Sequence, residues 1–343
     1  MTIAQEPELH ELTGIPSELL AHRKAWIART SLQRHPPFES LDRFATTEMR
    51  TSTTPAGVVA AFYDLARDLV SPPISFQIAC AVLDKPAGKA LLITGLVDPP
   101  RYPQGEVDGP LGSVALARAL HLLGHEVTII VEDEVIPPMR DLLATAVLPA
   151  VSLQAADLPD TEAARAFGRQ FDIVIAVEKL GRNTRGRRHL LDGSRVHGGD
   201  LYADDYVQAA REAGATTVGI GDNGNEIGFG NIAVEAEQLT PVKSEIEGGF
   251  FAATRVDYFF PASVSNFGCY AVVAALAIGS RREELSLSGN EITLWLNSAL
   301  DAGLRSGGID DAQFRGDDGV PTRYVAATAE VFKGIVHQAL VSI

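Results

Sequence analysis

Five short apolar runs, at residues 90–94, 127–131, 173–177, 217–220 and 256–260, recur along the chain with helix-patterned stretches between them. Those helical patterns fall at residues 111–123, 138–144, 161–167, 203–213 and 267–278. A strand buried on both faces reads as a continuous apolar run, and strands alternating with helices join through crossovers into a mostly parallel sheet. The alternation therefore predicts an α/β fold, a mostly parallel sheet with flanking helices. Two more helices are expected at 291–302 and 326–340, separated by a loop rich in Gly and Asp at 307–321. Ahead of the sheet, residues 8 to about 73 read as helices. Ser17 suits an N-cap before Leu19, Leu20 and Trp26, and Thr54-Pro55 opens an amphipathic run through Val58, Phe62, Leu65 and Leu69. The expected division is a helical N-terminal segment at 1–54 and an α/β domain at 55–343.

Composition narrows the partners. With 343 residues, 46% hydrophobic and 21% charged, the chain can bury a substantial core. Lys and Arg number 29 against 44 Asp and Glu, a net charge of −15, which repels a phosphate backbone; no nucleic-acid partner is expected. The most apolar helical stretch, 270–278, is far too short to span a bilayer, so no membrane partner is expected either. Cys80 and Cys269 both sit in apolar runs, which suits reduced, buried thiols. The N-terminus carries Glu6, Glu8 and Glu11 and looks like neither a secretory signal nor a transit peptide, so the expected compartment is the cytoplasm. Nothing in the sequence sets an oligomeric state.

Ligands of open α/β sheets bind beyond the carboxyl ends of the strands, so the loops there carry the candidate chemistry. After the first run, Gly105-Glu106-Val107-Asp108-Gly109-Pro110-Leu111-Gly112 leads into a helix. Pro110 suits its first turn, Asp108 or Gly109 can cap it, and its N–H groups can face an anion. After the third run, Lys179, Arg182, Arg185, Arg187 and Arg188 cluster within ten residues, as a local anion site or a solvated loop. The fourth run ends in Gly221-Asp222-Asn223-Gly224-Asn225-Glu226, a set of hard oxygen donors suited to general-base work or to Mg²⁺ or Mn²⁺. Gly219, Gly221 and Gly224 spell GxGxxG, but Gly228 and Gly230 argue against the helix that a dinucleotide fingerprint must open. The same loop is similar to the metal loop of haloacid-dehalogenase-like phosphatases, whose Asp-x-Asp nucleophile this chain lacks. After the last run, Ser265 or Asn266 can cap the next helix. Each loop also has a purely structural reading as a cap, a solvated face or a Gly-rich turn.

Taken in order, these loops carry a resemblance. The chain resembles the D-glutamate cyclase C-terminal domain family, from about residue 55 to near the C-terminus, through residues 105–112 and 115–120, Glu178-Lys179-Leu180-Gly181-Arg182, residues 220–230 and Ser265-Asn266-Phe267-Gly268. It departs from the family pattern at Val107, Leu111, Leu180 and Asn223. The resemblance implies an α/β hydro-lyase that dehydrates D-glutamate to 5-oxo-D-proline. For that reaction Asp222 and Glu226 are candidates for the base that takes the ammonium proton, and Lys179 and Arg182 for the cations that hold the substrate's carboxylates. Glu106 and Asp108 would fix the ammonium group or, with Asp222, a divalent ion. Asn223, Asn225, Ser265 and Asn266 would line the substrate site, and N–H groups at the Pro110 and Asn266 helices would stabilise an oxyanion. The expected ligand is a small anionic amino acid. Two other readings stay open: a metal-dependent phosphohydrolase, and a non-catalytic amino-acid binding module that would keep Arg182 but need no base.

Overall fold

The computed structural model describes residues 35–49, 57–67, 71–196, 202–240, 246–309 and 311–342. Three helices, α1 (Pro36–Ala45), α2 (Val58–Ala66) and α3 (Ile74–Leu83), precede the first strand. The alternating body then runs β1 (Lys89–Ile93), α4 (Pro110–Leu122), β2 (Glu126–Val131), α5 (Ile136–Thr145), β3 (Ser152–Ala155), α6 (Thr161–Gly168) and β4 (Ile173–Val177). It continues with α7 (Ala203–Glu212), β5 (Thr216–Gly221), α8 (Ala233–Leu239), β6 (Tyr258–Pro261) and α9 (Ser265–Ser280). The chain closes with α10 (Gly289–Asp301), a small hairpin β7 (Gly316–Asp317) and β8 (Val320–Pro321), and α11 (Thr322–Val341).

The six long strands form one parallel sheet in the order β3-β2-β1-β4-β5-β6. Side chains alternate between its faces, as the pleat demands. Ala90 and Leu92 of β1 join the core that α1, α3, α4, α9, α10 and α11 cover, whereas Leu91 and Ile93 join the core under α2, α6 and α7. Both faces are dry, which is why the strands read as unbroken apolar runs. Chain direction across the sheet reverses between β1 and β4, the place where doubly wound sheets open a crevice at their carboxyl ends.

The expected strands and helices are present within a residue or two at most ends, while β3, α3, α8 and the β7–β8 hairpin depart from expectation. β3, Ser-Leu-Gln-Ala, pairs only with β2 and is half exposed, so it lacks the apolar run that marks the others, including the opposite edge strand β6, which is buried. α3 was not expected; Ile74, Ile78, Ala79 and Val82 bury it in the main core. The loop at 307–321 contains β7 and β8, joined by Asp318 and Gly319 with φ of 46° and 78°, the two positive-φ positions of a tight hairpin. α2 begins at Val58 behind a left-handed Gly57, while Thr54, Pro55 and Leu69 lie outside the described residues, as do Ser17, Leu19, Leu20 and Trp26. Phe38, Leu41 and Ala45 of α1 belong to the same core as the sheet. Among the described residues no helix is long and apolar enough to cross a membrane.

One buried polar cluster ties the first helices together. Asp42 accepts hydrogen bonds from Tyr63 Oη (2.6 Å) and from the Ile74 backbone N–H (2.7 Å). Arg67 clasps Glu39 through two nitrogens and also donates to Tyr63 Oη. Burial pushes the Asp42 carboxyl up to about 6, against the opposing pull of its hydrogen bonds from Ser75, Tyr63 and Ile74.

Candidate active site

The loops after β1, β4 and β5 and the β7–β8 hairpin enclose a cavity of about 730 Å³ at the carboxyl edge of the sheet. Its wall carries Tyr102 and Glu106 from the first loop, Glu178 and Leu180 from the second, Asn223, Asn225 and Glu226 from the third, and Arg305 and Asp318 from the C-terminal part.

The ends of α4 and α9 cap one another. Asp108, just ahead of α4, accepts from the backbone N–H groups of Ser265 (2.9 Å) and Asn266 (2.7 Å) at the start of α9. Asn266 Oδ1 in turn accepts from the N–H groups of Gly109 (3.0 Å) and Gly112 (2.6 Å) at the start of α4. The helix ends are thus satisfied by the opposite loop, and neither Asp108 nor Asn266 caps its own helix. The same bonds occupy N–H groups that an oxyanion would need, which corrects the expectation that these two helix ends stabilise one. Gly109 permits the close approach: with φ of 94°, a Cβ there would stand 2.9 Å from Glu178 Cβ and 3.0 Å from the Val177 carbonyl oxygen.

Glu178 follows β4 with φ of 46°, a left-handed conformation that costs a non-glycine residue about 1–2 kcal/mol. Its Oε2 accepts from Ser265 Oγ at 2.6 Å. Glu178, Asp108 and Asp222, all buried, each offer an oxygen within 4.8 Å of the others. Glu226 Oε2 accepts from the N–H groups of Asn223 (3.3 Å) and Gly224 (2.8 Å), while Asn223 Nδ2 donates to Asp222. Asn225 donates through Nδ2 to the His189 carbonyl, and its Oδ1, buried in the cavity wall, receives no hydrogen bond from the described residues. No α-helix starts at Gly224; the chain passes through a 3-10 turn at Phe229–Asn231 before α8 begins at Ala233, so no dinucleotide fingerprint forms.

The hairpin adds two carboxyl groups. Asp317 is fully buried and accepts from Asn266 Nδ2 at 2.8 Å. Asp318 faces Glu106 across Gly307, where a Cβ would overlap Glu106 Oε1 and come within 2.7 Å of Asp318 Oδ1. Seven acidic side chains therefore converge here, and three of them, Glu106, Glu178 and Asp317, hold their protons more tightly than ordinary carboxyls. Burial raises Glu106 well above the usual carboxylate range, with Asp318, Asp108 and Asp317 adding repulsion. Burial, then Asp222 and Glu226, does the same for Glu178. Burial and Asp108 raise Asp317 against the pull of its Asn266 hydrogen bond. Tyr102 is also raised, by burial and then by Glu106.

Both cations expected at the site are engaged elsewhere. Lys179 Nζ is buried against Glu132 (2.5 Å) and donates to the carbonyls of Thr94 and Gly95. Arg182 reaches Asp204 (3.2 Å) and Asp205 (2.8 Å) in the first turn of α7 and does not line the cavity. Of the candidates, Glu106, Asn223, Asn225 and Glu226 line the cavity, while Asp108, Asp222, Ser265 and Asn266 lie behind its wall, grouped around Glu178 and the α4 and α9 starts; Lys179 and Arg182 act as struts beside it. Glu178, present in the sequence motif but not singled out for chemistry, stands at the centre, and Asp317, Asp318 and Arg305 were missed. The pair Asp318-Gly319 between short extended segments is the hairpin signal that marks two of them.

A family model described as D-glutamate cyclase-like, C-terminal, matches residues 66–321. The D-glutamate cyclase, mitochondrial, of Homo sapiens is 32% identical over 195 residues, covering 51% of this chain and 30% of that protein. The chain thus spans about a third of the length of this relative.

Proposed function

The chain belongs to the D-glutamate cyclase-like C-terminal family, and from that premise we propose that it is a hydro-lyase converting D-glutamate to 5-oxo-D-proline and water. The observation that carries this reading is the group of buried carboxyl groups, two of them at the cavity with raised proton affinity, around a cavity sized for a small ligand. Ring closure forms a bond from the amine nitrogen to the carbon of the γ-carboxyl group and breaks the bond from that carbon to one of its oxygens. Starting from the ammonium form, the nitrogen loses two protons and the departing oxygen gains two, so the reaction is a proton relay around a strained approach.

The cavity residues suit that relay. Asn225 Oδ1 accepts the ammonium group, and Glu226 or Asp222 takes its proton. Glu178, oriented by Ser265, gives a proton to the departing oxygen. In their ionised forms Asp108, Glu178 and Asp222 would instead hold a divalent cation such as Mg²⁺ or Mn²⁺, since a close set of hard oxygen donors fits those ions, and Glu226 would then be left as the base. A cation there supplies charge that polarises the γ-carboxyl group. The ligand class is a small anionic amino acid rather than nucleic acid. The free thiols Cys80 and Cys269 suit a reducing compartment, which we take to be the cytoplasm, whereas the human relative is named as mitochondrial. Incubation of the purified chain with D- and L-glutamate, with and without Mg²⁺ or Mn²⁺, followed by chiral chromatography, tests the reading. The expected result is 5-oxo-D-proline from D-glutamate; no product under any condition would overturn it.

A further inference from the structure

A cavity walled by carboxyl groups poses a problem for an anionic ligand: with Lys179 and Arg182 engaged elsewhere, some other group must meet its charge. Among the described residues, two arginines line the cavity. Arg101 is paired with Asp98 (2.7 Å) and Asp192 (3.4 Å). Arg305 has no ion-pair partner among the described residues; the side-chain hydrogen bond found for it runs from Nη1 to the Leu304 carbonyl at 3.2 Å. A guanidinium carries five N–H donors, so most of its capacity is open to a ligand.

The backbone holds Arg305 beside the acidic cluster. Its N–H donates to the Gly105 carbonyl (3.0 Å), and its own carbonyl accepts from the Val107 N–H (2.8 Å), so it flanks Glu106 on the adjoining chain. The residue is half-buried, which weakens competition from water for its donors. We infer that Arg305 is the carboxylate anchor of the cavity, gripping one carboxylate of the ligand while the acidic groups face its ammonium and its second carboxyl. The anchor then requires a carboxylate of its ligand, whether or not the ligand carries an amine. This rests on the proposed function for which substrate reacts, but not for the charge that Arg305 recognises.

Calorimetric titration of the whole chain with glutarate, a dicarboxylate without an amine, separates the two. Wild-type protein should bind both glutarate and D-glutamate, and Arg305→Gln should weaken both by about ten- to a hundredfold, the usual worth of a charge-assisted contact. KM for D-glutamate should rise by a similar factor while kcat stays within about threefold, because the contact is made in ground and transition states alike. Arg305→Lys, which keeps the charge but loses the fork, should fall between, and it carries the test if Arg305→Gln does not fold. Glutarate binding that is absent in wild type, or equal in wild type and Arg305→Gln, would overturn the inference. Arg305-dependent glutarate binding without any 5-oxoproline formed would leave it standing and remove the cyclase reading instead.

Discussion

Asp42 and the cavity carboxylates are both acids buried against the sheet's ends, yet they are surrounded in opposite ways. Asp42 meets donors: Tyr63 Oη, the Ile74 N–H and the Ser75 N–H all point at it. Glu106, Glu178 and Asp317 are instead pressed towards other acids, with burial and mutual repulsion both opposing ionisation. A carboxylate ringed by donors joins helices together. Acids gathered against one another store a cost that folding alone does not require, and such gatherings mark places where protons or cations are handled.

The sharpest way to break this contrast is in the cavity. Asp222→Asn and Glu226→Gln should each keep the fold while kcat on D-glutamate falls by roughly two to four orders of magnitude, the worth of a positioned base. Turnover measured beside thermal melts decides it, and full activity in both variants would return the loop to a structural role.

A strut should behave differently. Lys179→Met leaves Glu132 buried without its cation and should lower stability by about 3–5 kcal/mol, read from denaturant unfolding. Arg182→Ala should likewise lower the melt by depriving Asp204 and Asp205, but leave KM for D-glutamate unchanged. A raised KM there would restore Arg182 to the substrate site.

Asp42 gives a smaller, pH-dependent effect. Its carboxyl lies at about 6 in the folded chain against an ordinary 3.8, so the folded state holds the proton more tightly. The stabilisation is fully present below the unfolded value and is lost as pH rises through about 6, an effect of order 3 kcal/mol. Asp42→Asn should lack that loss, so the stability difference between wild type and variant should change between pH 4 and 7; a constant difference would show that burial does not raise Asp42. Smallest of all should be Asp301→Asn, which removes an exposed ion pair with Arg315 and should shift unfolding by less than about 1 kcal/mol.

Much of the fold was legible in the order of residues along the chain, because local chemistry wrote it. Strands β1, β2, β4, β5 and β6 are buried on both faces, and α4, α6, α7 and α9 carry the helical pattern between them. β3 escaped because it is half exposed and needs no apolar run, unlike the opposite edge strand β6, which is buried. Within the site, the loops after β1, β4 and β5 and the start of α9 were legible as motifs because several of them, each open to a structural reading alone, occur together at the carboxyl ends of strands.

By itself the sequence determined the α/β class, the approximate strand positions and the acidic character of the loops, all properties set by neighbours a few residues apart. Only the tertiary structure decided which charges are spent on one another. Lys179 meets Glu132 across 47 residues, and Asp108 meets Asn266 across 158. Arg182 is claimed by Asp204 and Asp205, leaving Arg305 beside Glu106. Electrostatic partnership depends on distances in space and on exclusion of water, and neither is written in the spacing of residues along the chain.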